Sequence, residues 1–343
     1  MNDLPAAIEL DPAGRSQAGI DRLQPLFDQH RFSHVTGFGR YVPDVTARAT
    51  RRAFDLAAAD DGSAVFVAGD PDQPAAATFV RPAPWETGHL GVRVGKVGDL
   101  VAEGDPATRT AAAGALLGAA GRHWADTGGG LLIARVDIDD TDVLVAAQRA
   151  GFEVLETSAT YLNDNHAEFR TTHEDKGYEI RRYLRGAGAD IPASSLDLIQ
   201  RWVDDTDRTG HLYRDRRLDP ERVAALYLDW LGNTFSGAYG DVVYTAWRDD
   251  QVVGFVSWTE DEAMDAFAGT KVLRAGIGAA VSPEGQGALG DIYAAVCSEQ
   301  PLGSRLVEHT TQAGNEAVLT VWARYSTLRP SSCHYVLHGW FGG

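Results

Sequence analysis

Hydrophobic and polar positions alternate in a way that repeats along this chain. From Leu131 it reads LLIARVDIDDTDVLVAAQRAGFEVLETSATYL, a β-branched run (Leu132 to Val136) ending in a polar turn. Apolar residues then recur at spacings of three and four (Val143, Leu144, Ala147), which predicts a helix, and a second strand-like run follows. Slid by 175 residues, from Leu131 to Leu306, the segment lies without a gap on LVEHTTQAGNEAVLTVWARYSTLRPSSCHYVLH. There the run Leu306 to Thr311, the spacing Val318, Leu319, Trp322 and a closing strand come in the same order.

Upstream the match continues approximately. AVFVAG (Ala64 to Gly69) corresponds to DVVYTAW (Asp241 to Trp247), and each is followed by a turn and a second apolar run, AAATFV or VVGFVSW. Each half reads helix, helix, strand, hairpin, strand, strand, helix, strand, helix, strand. That order predicts two tandem α/β (α+β) units, each with a mixed, mainly antiparallel sheet flanked by helices. NDNHAEFRTTHEDK lacks periodicity and reads as linker, giving domains at 1–165 and 177–343 joined by 166–176.

Composition narrows the function classes. At 343 residues, 44% hydrophobic and 23% charged, the chain suits two globular domains. No apolar run approaches the ~18 residues of a membrane helix, and Met1 to Pro5 has neither a basic region nor an apolar one, so the cytoplasm is the expected location. Cys297 and Cys333 offer no disulfide framework or metal spacing. A net charge of -17 argues against nucleic-acid partners and reads first as a solvated surface, only secondarily as a lure for cationic amines.

One stretch suggests a cofactor. In KVLRAGIGAAVSPEGQGALGDIYAAV the run to Val281 is a plausible strand, Pro283 ends it, and small residues precede a helix expected to open at Asp291. Free backbone N–H groups at the positive end of a helix dipole suit a diphosphate, although a glycine-rich turn needs no ligand. The equivalent place in the first half, AEGDPATRTAAAGALL, lacks the glycines.

The second half resembles the GNAT acyltransferase family. VSPEGQGALG is similar to its V-x-P-x-x-[QR]-G-x-G-x-[GA] loop, and TTQAGNEAVLTVW to its later strand, Asn and helix. WETGHLGVRVGKV, HLYRDRRLDPERVAALYLDWLGNTF and HYVLHGWF resemble segments of tandem proteins similar to dTDP-fucosamine 4-N-acetyltransferase. The resemblance implies acetyl-CoA or another acyl-CoA as cofactor, held by Val281, Gln286, Gly287, Ala288, Leu289, Gly290, Asp291 and Asn315. In the first half it implies no cofactor. Asn315 could equally cap its helix.

The same resemblance expects a Tyr acid seven residues after Asn315, where this chain has Trp322, an indole too weak for the role. Tyr325, one helical turn on, could substitute only with the helix rotated or displaced, and His309 and Glu260 are the candidate bases, Glu260 at an expected hairpin tip. His211, Tyr213, Arg214, Asp215, Trp258, Trp322 and His338 are the expected acceptor-side residues, each with a plain structural alternative. Leu289 where a glycine is expected, and a carboxylate at Asp291, depart from the family loop.

The leading expectation is therefore an acyl-CoA-dependent N-acyltransferase acting on the primary amine of a small molecule, with homodimerisation left open and no metal. The alternative is a catalytically silent or repurposed tandem GNAT protein that binds a ligand or partner. A transferase using charged tRNA conflicts with the acidity, and a hydrolase finds neither GxSxG nor HExxH.

Overall fold

The computed structural model describes residues 7–10, 15–33, 35–70, 73–164, 170–186, 200, 203, 210–269, 271–281, 283–299 and 303–342. The expected linker residues 166–169, and Met1 to Pro5, lie outside these. The chain forms two compact units, Met1–Ser158 with Ser332–Gly343, and Ala159–Ser331.

In the first unit β1 (Ala7–Glu9), helices α1 (Gln17–Asp21), α2 (Gln24–Gln29) and α3 (Val45–Ala59) precede the hairpin β2 (Ala64–Asp70) and β3 (Gln73–Pro82). Then come α4 (Pro84–Leu90), β4 (Val94–Val97), β5 (Val101–Ala102), α5 (Pro106–Asp126), β6 (Gly130–Asp137), α6 (Thr141–Arg149) and β7 (Phe152–Asp164). Alternation along β2 builds two layers. Ala64, Phe66 and Ala68 face a core with Leu116, Leu117 and Trp124 of α5, while Val65 and Val67 face Phe27 and Phe54 of α2 and α3. Helix α5 starts where Asp105 accepts from Thr108 N–H (2.9 Å) and Pro106 takes the first position.

The second unit repeats this plan. After β8 (Glu179–Leu184), α7 (His211–Arg214) and α8 (Pro220–Phe235) lie the hairpin β9 (Val242–Arg248) and β10 (Gln251–Glu260), then α9 (Glu262–Ala268) and β11 (Val272–Ala280). Helix α10 (Ala288–Glu299), β12 (Leu306–Gln312), α11 (Glu316–Trp322) and β13 (Leu328–Phe341) complete the order. Tyr244 and Trp258 join the α10 side of the sheet. Val243 and Phe255 join Leu231 and Phe235 of α8 on the other.

The duplication extends to single residues. Each unit has a three-pair parallel ladder, β4 with β6 (Val94↔Leu131) and β11 with β12 (Val272↔Leu306), while β2 with β3, β3 with β4, β9 with β10 and β10 with β11 pair antiparallel. Both connecting helices before it, α4 and α9, close on a left-handed glycine, Gly91 (φ 69°) and Gly269 (φ 63°). Asp140 caps α6 at Val143 N–H (3.4 Å) and Asn315 caps α11 at Val318 N–H (3.3 Å), again 175 residues apart.

The unit boundaries depart from the expected 1–165 and 177–343 in one way. Residues 332–343 belong with the first unit, where β13 pairs antiparallel with β6 from His334↔Asp137 to Phe341↔Gly130. Residues 159–164 of β7 belong with the second, where Thr160 and Thr310 of β12 are hydroxyl partners (3.1 Å). Each repeat is closed by a strand from the other. Leu337 of β13 is fully buried in the first-unit core. Leu337→Ala should cost about 2–5 kcal/mol and raise hydrogen exchange in β6, some two hundred residues away in sequence. Exchange rates measured by mass spectrometry that stay unchanged in β6 would contradict the pairing.

Candidate functional site

The glycine-rich turn sits between β11 and α10 of the second unit. Its amides are largely used within the turn: Gln286 N–H donates to Pro283 O (3.2 Å), Ala288 N–H to Gly285 O (2.9 Å), and Gly290 and Asp291 N–H to Gly287 O (2.9 and 3.3 Å). Val281 N–H is bonded to Val253 O (2.9 Å). Helix α10 opens at Ala288 rather than at the expected Asp291. There the buried Ala288 methyl packs over Gly254, 2.9 Å from where a side chain on that glycine would begin. Gly287 adopts φ +93°, which only glycine takes readily.

Asp291 consequently stands in the first turn of α10 and points into the protein, its side chain 5% exposed. His173 Nε2 donates to Oδ1 (2.5 Å), the Lys176 amide reaches both carboxylate oxygens (3.2 Å each), and the Tyr178 amide reaches Oδ2 (3.2 Å). The Tyr178 hydroxyl bonds Glu284 O and Gln286 O (3.0 Å each), and burial raises its pKa. Arg248 lies 4.2 Å above the Tyr178 ring and donates to Glu284 O (3.1 Å). Tyr325, whose hydroxyl burial also makes less acidic, donates to Gly290 O.

His309 occupies a separate, fully buried place on β12. Tyr293, Trp258 and Trp322 surround it at centroid distances of 5.1, 5.9 and 5.8 Å, the first two edge-on. Neither imidazole nitrogen has a hydrogen-bond partner among the described residues, and burial pushes the ring's pKa down to about 3. A neutral imidazole sealed from water cannot pass a proton to solvent, so as placed it packs the core.

The remaining expected residues are spread out. Glu260 ends β10 and is held by Lys271 Nζ (2.7 and 2.8 Å), whose hydrogen bond keeps its carboxyl below the usual range. It is no hairpin tip, because Asp261 caps α9 immediately after it by accepting from Met264 N–H (3.0 Å). Asp215 is buried and binds Arg217 (2.8 Å), and Tyr213 of α7 stacks on Tyr227 of α8 at 5.5 Å, alongside His211 and Arg214. Asn315 caps α11 and donates to Thr311 Oγ1 (3.0 Å). His338, grouped by sequence with the second half, is buried in the first unit opposite Ile133, because its strand is exchanged.

The structure thus brings Trp258, Trp322 and His309 together, and separately Tyr325, Gly290 and Asp291. Sequence reading missed His173, Lys176, Tyr178 and Arg248. Their one advance signal was Asp291 itself, a carboxylate in a loop that must find donors if buried.

No family model matches the sequence, and no curated protein does. Solved structures do. A GCN5-related N-acetyltransferase from Sphaerobacter thermophilus superposes with a TM-score of 0.57 at 14% identity, over 100% of this chain and 98% of that one. A glucosamine N-acetyltransferase region of a fungal multi-domain GH3 β-N-acetylglucosaminidase gives 0.57 at 11% identity, over 97% of this chain and 38% of that one. The chain therefore has the GNAT fold in two copies.

Burial of His309 has a pH signature. Its folded pKa is below the ordinary 6.5, so the unfolded chain binds more protons between about 6.5 and about 3, and stability falls as pH falls through that window. His334 and His30, both lowered by burial to about 4, act in the same direction. His309→Phe should flatten the slope of unfolding free energy below pH 6.5 in denaturant titrations. An unchanged slope would mean the imidazole is not sealed.

Proposed function

We propose that this chain is a tandem GNAT-fold protein that binds a ligand or partner, and that its second unit does not turn over acetyl-CoA at the glycine-rich turn. Asp291 carries the reading. Its carboxylate, in the first turn of α10, is taken up by His173 and by the amides of Lys176 and Tyr178, while the amides of Gln286, Ala288, Gly290 and Asp291 are bonded to carbonyls of the turn. A diphosphate arriving at this helix start would find those N–H groups in use and His173 and Lys176 lying over Gly290 and Gly287. The candidate chemistry agrees: Trp322 stands at the expected acid position, Tyr325 is committed to Gly290, and His309 is sealed.

A second reading has one feature in its favour. The order β11, glycine turn, α10 suits a thioester carrier, and the parallel ladder of β11 with β12 ends at Arg274↔Glu308, while β11 runs on to Ala280 paired, among the described residues, with β10 alone. It would make the chain an acyl-CoA-dependent N-acyltransferase, with acetyl-CoA or another acyl-CoA, acting on a primary amine such as that of an amino sugar nucleotide or a specialised-metabolite intermediate. The resemblance of VSPEGQGALG to the GNAT loop pattern and the whole-chain likeness in fold to an N-acetyltransferase support that class.

Titration calorimetry separates the two. The first reading expects no saturable acetyl-CoA binding up to about 1 mM, equivalent to less than about 4 kcal/mol of binding free energy. A micromolar dissociation constant, with thiol released when amines are added, would replace it by the second.

A further inference from the structure

We propose that residues 170–178 are a lock on the turn 283–291: the closed segment and a bound diphosphate exclude one another, and Asp291 is the group that holds the lock shut. The proposal rests on the reading above that α10 begins at a former diphosphate position.

The segment is held at two buried anchors and is otherwise exposed. The His173 side chain is 3% exposed and Tyr178 is buried, whereas Glu174, Asp175, Lys176 and Gly177 face solvent. Between the anchors it fills the space over the two glycines that would admit a ligand. A methyl on Gly290 would lie 2.2 Å from the His173 ring, and one on Gly287 would lie 2.8 Å from Lys176 Cγ. Its upstream end is tied by Thr172 N–H to Arg324 O (3.0 Å) and by Ser326 N–H to Arg170 O (3.0 Å).

Polar groups do most of the holding. Asp291 takes its donors from His173, Lys176 and Tyr178, and His173 Nδ1 has no partner among the described residues. Contacts of this type exchange readily for water, since a hydrogen bond between protein groups replaces one to solvent and nets little. Removing the carboxylate leaves the amides with no acceptor in the closed state, so the segment opens.

Two readouts test this on the full chain. The sequence has three lysines, Lys96, Lys176 and Lys271, so endoproteinase Lys-C cleavage after Lys176 reports opening. Coenzyme A is the diphosphate probe, measured by calorimetry. Asp291→Ala should raise the cleavage rate at Lys176 at least about ten-fold and give CoA binding that the wild type lacks. His173→Ala should raise cleavage in the same direction, and keeps the result informative should Asp291→Ala fold poorly.

A wild type that is silent with a variant that binds supports both the lock and the reading of silence. Wild-type binding accompanied by faster cleavage at Lys176 supports the lock and overturns the silence. Wild-type binding with cleavage unchanged overturns both. If neither protein binds CoA, the silence stands and the lock falls.

Discussion

A carboxylate taken out of water must be met by donors, and in the second unit that requirement falls on Asp291. Few of its neighbours could serve. The amides of the first turn of α10 are turned to Gly287 and Gly285, so the donors come from a segment more than a hundred residues earlier in sequence. Meeting the charge fixes the path of residues 173–178, places the Tyr178 ring under Arg248, and brings Tyr178 hydroxyl to the carbonyls of the turn. One acidic side chain thereby ties the segment 173–178 to the first turn of α10.

The aromatic cluster around His309 makes the same point in apolar terms. Where proton transfer would need a solvated cleft, Trp258, Tyr293 and Trp322 close on the imidazole, and all three are buried. Tryptophan at position 322 supplies bulk in place of an acidic hydroxyl. The same side chain fills the space beside the imidazole.

Much of the architecture was legible in the sequence because it rests on periodicity. The runs at Leu132 and Leu306 became β6 and β12, and the matched caps Asp140 and Asn315 fell on the shared offset. What periodicity could not reveal was which sheet a closing strand joins, since SATYL and HYVLHGWF carry the same alternation whichever partner they meet; His338 was misgrouped for that reason. The polar run around His173 was invisible as a site because it buries hydrogen bonds rather than apolar surface. Where α10 begins, Ala288 packs over Gly254, a contact between distant positions that no local pattern encodes.

The exchange of closing strands imposes an order of events on the growing polypeptide. When Asp137 has left the ribosome, β6 still lacks the neighbour that completes its hydrogen bonding, and that neighbour begins at Ser332. Throughout the intervening translation the first repeat carries an open strand edge, a surface prone to pairing with other chains. A cut between the two sequence repeats would therefore take the closing strand away from the first unit's sheet.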